Sequence, residues 1–222
     1  MYKNSIDLSY FCPIHGGYIM ANDVYKTIAA VSEGCITEQR SKFISYAVPV
    51  RTSEEAKEKI DAFRKQYYDA RHICWAYMLG VERLQFRVND DGEPSSTAGK
   101  PILGVINSCG LTDVLIVVVR YFGGVKLGTS GLIASYRAAA SYAVANALII
   151  EKTVDEIITI EFPYSSLNDV MKIVKEINPQ ILSQTFDTNC RMTLQLRRSE
   201  MEKLKNRLLK VRTPYMGKIK ML

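Results

Sequence analysis

Between Asp113 and Phe122 the chain reads DVLIVVVRYF. The six residues Val114–Val119 are all apolar and five of them are β-branched. A run so short, so apolar and so branched is a buried strand, and a buried strand commits the chain to a sheet covered by other elements. The chain leaves this strand through Gly123, Gly124 and Gly128 and enters a helix read over residues 129–147. Strand, Gly-rich turn and helix N-terminus together make an anion pocket in many proteins; they are also an ordinary way to turn a tight corner.

The rest of the chain supplies the cover. KTIAAV, GCITEQRSK and FISYAVPV read as antiparallel strands, with Ser32-Glu33-Gly34 at one turn. SEEAKEKIDAFRKQYY, with Ala56, Ile60, Phe63 and Tyr67 at helical spacing, reads as a helix. RHICWAYML and RLQFRVND alternate as strands, and TAGKPILGVINSCG is a short helix with Pro101 in its first turn. From residue 153 the pattern restarts as strand (DEIITIEFP), helix (SSLNDVMKIVKEI), two strands (ILSQTFD, NCRMTLQLR), helix (MEKLKNRLLKV) and strand (KIKML). That β-α-β-β-α-β order is the ferredoxin-like arrangement. The expected organisation is therefore α+β: an aperiodic extension over residues 1–19 with Met20 as the native start, a first domain over 20–152, and a small ferredoxin-like domain over 153–222.

Composition narrows the setting. Five scattered cysteines, at 12, 35, 74, 109 and 190, favour a reducing compartment, and no apolar run approaches the roughly 20 residues that span a bilayer. A cytoplasmic protein without a membrane partner is expected. The net charge of +6 is unevenly spread: Arg191 to the end holds ten Lys/Arg and two Glu, leaving nineteen basic and twenty-one acidic groups for residues 1–190. Such a basic terminal block either meets a polyanion such as RNA or is a solvated helix face.

Three stretches carry the candidate chemistry. In the loop after the apolar strand, Arg120, Lys126 and the backbone of Gly123, Gly124, Gly128 and Gly131 favour an anion, with Thr129 or Ser130 as the helix cap. The spacing is neither that of a P-loop nor that of a nucleophile elbow. In DDGEPSSTAGKP, Asp90, Asp91 and Glu93 either ligate a divalent cation or simply make a turn, and Thr97 and Gly99 stand at a second hydroxyl-rich helix entrance. In RHICWAY, Arg71 and His72 open a strand; His72 is either a general acid/base, with Asp91 or Glu93 as further catalytic candidates, or a hydrogen-bonded structural histidine. Cys12 and His15 lack a second ligand pair at zinc spacing, and no metal site is assigned.

RHICWAY, NDDGEPSSTAGKPIL and VVVRYFGGVKLGTSGLIASYRAA, in this order, closely resemble the IMPACT family, whose bacterial branch is known as YigZ-like. The resemblance covers roughly residues 25–150; beyond 153 it rests mainly on element order. It implies a first domain with the left-handed βαβ fold of a ribosomal small-subunit protein and of domain IV of elongation factor G. It also implies a second domain like domain V of that factor, and a place on ribosomes or RNA. Eukaryotic members dampen a stress kinase that acts on an initiation factor and carry an additional N-terminal protein-binding domain. Residues 1–19 do not match such a domain, so the kinase role is not carried over.

The expected function is binding of RNA, ribosomes or a translation-associated protein, without a cofactor. Lys203, Arg207, Lys210, Lys218 and Lys220 would give phosphate contacts, and the residues around His72, Arg120 and Lys126 the specific ones. The rival is an enzyme or sensor for a small phosphorylated ligand, with Lys126 and the amides of 128–131 on phosphate, Asp91 and Glu93 on Mg²⁺, and His72 moving a proton.

Overall fold

The apolar strand lies at the centre of a five-stranded antiparallel sheet. The protein is described here by a computed structural model covering residues 23–211 and 219–221. Strand β1 spans Val24–Ile28, β2 Ser32–Glu38, β3 Ser41–Pro49, β4 His72–Leu79, β5 Gln85–Asn89 and β6 Val114–Tyr121; the helices of this part are α1 Ser53–Gln66, α2 Gly99–Ser108 and α3 Gly128–Ala145. The sheet order is β2-β3-β6-β4-β5. Val114, Ile116 and Val118 face a cluster built with α2 and α3, and Leu115, Val117 and Val119 face a second one built with α1. Helices on both faces are why β6 shows no apolar–polar alternation. The same logic splits β4: Cys74, Ala76 and Met78 go to the α2/α3 side, Ile73, Tyr77 and Leu79 to the α1 side.

The first hairpin corrects the sequence reading. Its turn is at Gln39-Arg40, between Glu38 and Ser41, so GCITEQRSK is not one strand, and Ser32, Glu33 and Gly34 lie in β2 and not in the turn ahead of it. Both turn residues are left-handed, with φ of 43° and 68°, as a two-residue type I′ turn demands, but neither is the Asn or Gly that usually signals it. Gly34 serves packing instead. A Cβ there would come within 2.8 Å of the Tyr142 ring and 2.9 Å of the Ala143 nitrogen, so α3 lies directly on β2.

A strand not foreseen, β7 (Ile149–Thr153), follows α3 and pairs antiparallel with β1 in a separate two-stranded ribbon. The second unit then begins without a linker: β8 Asp155–Pro163, a 3₁₀ turn Tyr164–Ser166, α4 Leu167–Ile177, β9 Gln180–Thr185, β10 Asn189–Arg197, α5 Arg198–Leu208 and β11 Lys220–Met221. Its sheet order is β11-β8-β10-β9, the split β-α-β arrangement, around its own core of Ile160, Phe162, Val170, Met192, Leu194 and Leu204. The molecule is thus α+β with three hydrophobic clusters among the described residues, two on the faces of the first sheet and one in the second unit. Helix α5 starts at Arg198, three residues before the expected Met201. The units are tied by Arg197, whose Nε donates to Asp23 at 2.5 Å, and by Arg198, which bridges Glu82 and Glu156 at 2.9 Å each. The expected tail over 1–19, its zinc half-site, Met20 and Lys218 lie outside the described residues, and of Lys220 only the backbone is described. Among the described residues no helix is long and apolar enough to cross a membrane.

Candidate functional site

Where β6 runs out of apolar residues it places a charge in the core face. Arg120 continues the side of Val118 and Ile116, opposite Phe43 on β3 and His72 on β4 in register. It is 5% exposed. Its Nη1 donates to Glu93 Oε1 at 2.5 Å, and its guanidinium lies 5.4 Å from the Phe43 ring centroid and 5.7 Å from that of Phe122. The same carboxylate oxygen accepts from the hydroxyl of Tyr136, a fully buried residue of α3, at 2.7 Å. A buried carboxylate and a buried guanidinium are tolerable only when each is paired and hydrogen-bonded, as here. Burial, then Cys74 and Glu93, pushes the Tyr136 hydroxyl far above its ordinary range, so it stays a donor.

His72 is oriented by its other nitrogen. The Asp91 carbonyl accepts from Nδ1 at 2.7 Å, which leaves Nε2 toward the Glu93 carboxylate, 3.9 Å away. Cys74 Sγ sits 3.0 Å from the Asp90 carbonyl and 3.3 Å from the Tyr136 hydroxyl, and burial pushes its thiol well above the usual range. It is a core residue, not a nucleophile.

The acidic loop resolves into three separate jobs. Asp90 accepts from the backbone N–H of Ser96 at 2.8 Å, Ala98 at 3.0 Å and Gly99 at 2.8 Å, and so seals the N-terminus of α2. Asp91, left-handed at φ 44°, accepts from the Ile73 N–H at 2.7 Å and lies 3.5 Å from Arg64. Glu93 turns inward to Arg120. The three carboxylates do not converge, and no cluster of three His, Cys, Asp or Glu placed to hold a metal occurs among the described residues. The Mg²⁺ pair Asp91–Glu93 is therefore corrected: each carboxylate is already engaged, in a different direction. Thr97 donates to the Pro94 carbonyl at 2.6 Å and is buried, and a Cβ on Gly99 would meet the Asn89 nitrogen at 2.9 Å. Both build the loop and do not line the cleft.

At the second helix entrance no described residue fills the corresponding place. The residue ahead of α3 is Leu127, in the right-handed region with no capping bond, and the first turn holds no acidic side chain. Thr129 and Ser130 lie inside that turn, exposed, and do not cap it, contrary to expectation. Gly124 and Gly128 have φ of 88° and 69°, and Gly123 lies so close to the β2–β3 turn that a Cβ would fall 2.1 Å from the Arg40 carbonyl carbon. Arg71, His72, Glu93, Arg120, Lys126, Gly128 and Thr129, with Pro94, Phe122, Leu127 and Leu132, line one cleft of about 700 Å³. Gly123, Gly124, Ser130 and Gly131 shape the loop and first turn behind it. Phe43, Phe122, Leu127, Leu132 and Tyr136 are the members that sequence reasoning did not single out. The lone aromatic residue in SYRAAAS was the available signal for Tyr136.

The basic terminal block is less basic in space than in sequence. Arg191 pairs with Glu161, Arg197 with Asp23, Arg198 with Glu82 and Glu156, Lys203 with Glu200, Lys205 with Glu202 and Arg207 with Glu176. Five of those acids come from the near-neutral body of the chain. Lys210 has no ion pair among the described residues.

The Impact N-terminal domain family matches residues 39–144. The chain is 37% identical to "IMPACT family member YvyE" of Bacillus subtilis (strain 168) over 152 residues, 68% of this chain and 70% of that one. It is 31% identical to "IMPACT family member YigZ" of Escherichia coli (strain K12) over 150 residues, 67% of this chain and 74% of that one. A crystal structure described as that of a hypothetical protein matches 90% of this chain and 97% of its own, with 26% identity and a TM-score of 0.66.

Proposed function

The chain belongs to the IMPACT family, in its bacterial YigZ-like branch, and from that premise we propose that it works in the cytoplasm on translation, binding RNA either free or in the ribosome, with the cleft before α3 as the seat of a phosphate group. One observation carries the reading. Three cations, Arg71, Arg120 and Lys126, meet at the unsealed N-terminus of an 18-residue helix, while the neighbouring helix entrance is closed by Asp90. Helix N-terminal amides favour anions, and an arginine held by packing is preorganised to receive one. His72 offers Nε2 to the same space. Lys203, Arg207, Lys210, Lys218 and Lys220 add general phosphate contacts. Those of α5 that are paired with glutamates must break exposed ion pairs to do so, a cost of at most about 1 kcal/mol each. The protein on this reading is a binding module and needs no cofactor.

The test is sedimentation with ribosomes and with total RNA across a salt series. Engagement of the three cleft cations predicts a log–log salt slope of roughly −2 to −3. Arg71→Glu/Lys126→Glu is expected to abolish binding, and Lys203→Glu/Arg207→Glu to weaken it several-fold. Binding that survives the cleft variant unchanged, or no binding at low salt, would overturn the proposal.

A further inference from the structure

We infer that the cleft takes a terminal phosphate, that of a 5′-monophosphorylated nucleotide, either free or at the 5′ end of an RNA chain, and not an internal phosphodiester; the inference deepens the cleft reading above and rests on it. Two independent features point to an anion at this place. The first turn of α3 has neither a side-chain cap nor an acidic residue. On the floor, Arg120 is 5% exposed and its Nε is buried with no acceptor among the described residues, although Nη1 is engaged by Glu93. A buried donor left unpaired is costly, and the packing of Phe43 and Phe122 about the guanidinium keeps it from swinging out to water.

Charge and depth select the terminal group. Arg71, Arg120 and Lys126 against Glu93 leave two net positive charges before any on His72 is counted, which matches a phosphomonoester dianion. A monoester also presents three free oxygens, one for Arg120 on the floor and the others for the α3 amides, Lys126 and Arg71. An internal diester has two, and its strand must leave in both directions from a recess whose floor is nine-tenths buried. The remaining wall accepts a flat ring: Phe122 is 49% exposed beside Pro94, Leu127 and Leu132, and about 700 Å³ is the size of a small-ligand site.

The experiment compares a short 3′-labelled RNA bearing a 5′-phosphate with the same RNA bearing a 5′-hydroxyl, and AMP with adenosine, on the full chain. Preference for the phosphorylated member of each pair by about tenfold or more is expected, the worth of one charge-assisted bond. Lys126→Ala, an exposed residue without a hydrogen bond or ion pair among those described, is expected to erase the preference without changing the melting temperature. If both RNAs bind equally and AMP does not compete, the terminal-phosphate inference falls and the RNA reading stands. If AMP binds over adenosine but neither RNA binds, the inference stands for a free nucleotide and the RNA reading falls. No binding in any arm overturns both.

Discussion

Gly123 and Gly124 are neighbours in sequence but are glycine for different reasons. At Gly123 a side chain would collide with backbone, 2.1 Å from the Arg40 carbonyl carbon and 2.4 Å from the Ser41 nitrogen; at Gly124 the space is open and only the φ of 88° is demanding. Gly123→Ala is therefore expected to destabilise the protein by about 3 kcal/mol or more, since backbone must move, and Gly124→Ala by about 1–2 kcal/mol. Urea unfolding of the two variants checks the order; equal costs would mean that the loop relaxes away from the β2–β3 turn. The string GGVKLG displayed the need for glycine but not this division of labour, because the collision is with Arg40, eighty-three positions earlier. The Arg120–Glu93 pair was hidden in the same way. Both residues were singled out from their loops, yet nothing local states that a carboxylate in one loop folds back onto a guanidinium at the end of a distant strand.

At the scale of elements, the two helix entrances of the first unit look alike in sequence and behave oppositely. TAGK and GTSG are both small and hydroxyl-bearing, but the α2 entrance is closed by Asp90, six, eight and nine residues upstream of the three amides it accepts from. The hydroxyls that catch the eye do not cap either helix. Asp90→Ala is expected to cost about 2–3 kcal/mol, because three backbone donors lose their acceptor. Native-state amide exchange should quicken first at Ser96, Ala98 and Gly99; exchange that quickens uniformly over the chain would instead mean a global effect. The strongest elements were legible: β6 follows from its unbroken apolar run, and α1 from the spacing of Ala56, Ile60, Phe63 and Tyr67. β7 was not. Its alternately exposed five residues carry little apolar signal, and its partner β1 lies at the other end of the first unit. The Gln39-Arg40 turn was likewise illegible, because its left-handed residues are imposed by the pairing of β2 with β3 and not by turn chemistry.

Over the whole molecule, charge is arranged so that counts along the chain mislead. The excess at the C-terminal end is met by acids of the body, and two of those pairs join the units. Asp23 shows what this does for stability. The hydrogen bonds from Arg197, with those from Ser199, hold its carboxyl at about 2, below the ordinary 3.8. A depressed folded-state value means stability that is fully present above about 4 and is lost as pH falls through about 2. The melting temperature of Asp23→Asn should therefore lie below that of the native chain by a constant margin from pH 7 to about 5, with the gap closing toward pH 2; a gap that persists at pH 2 would mean the loss is one of packing. The first unit's candidate site, by contrast, has Lys126 and Arg71 at the cleft mouth without an ion pair among the described residues. That contrast makes the cleft, more than the basic block, the centre of the account. Its most direct test is a ¹⁵N-correlated NMR titration of the full chain with RNA, which observes the backbone amides and the Arg120 Nε–H together. RNA seated in the cleft should give the largest shifts at Thr129, Ser130, Gly131 and the Arg120 side chain, at a lower RNA concentration than any change in α5; shifts confined to α5, with the Arg120 Nε–H unmoved at saturation, would show that the cleft is not the seat of binding.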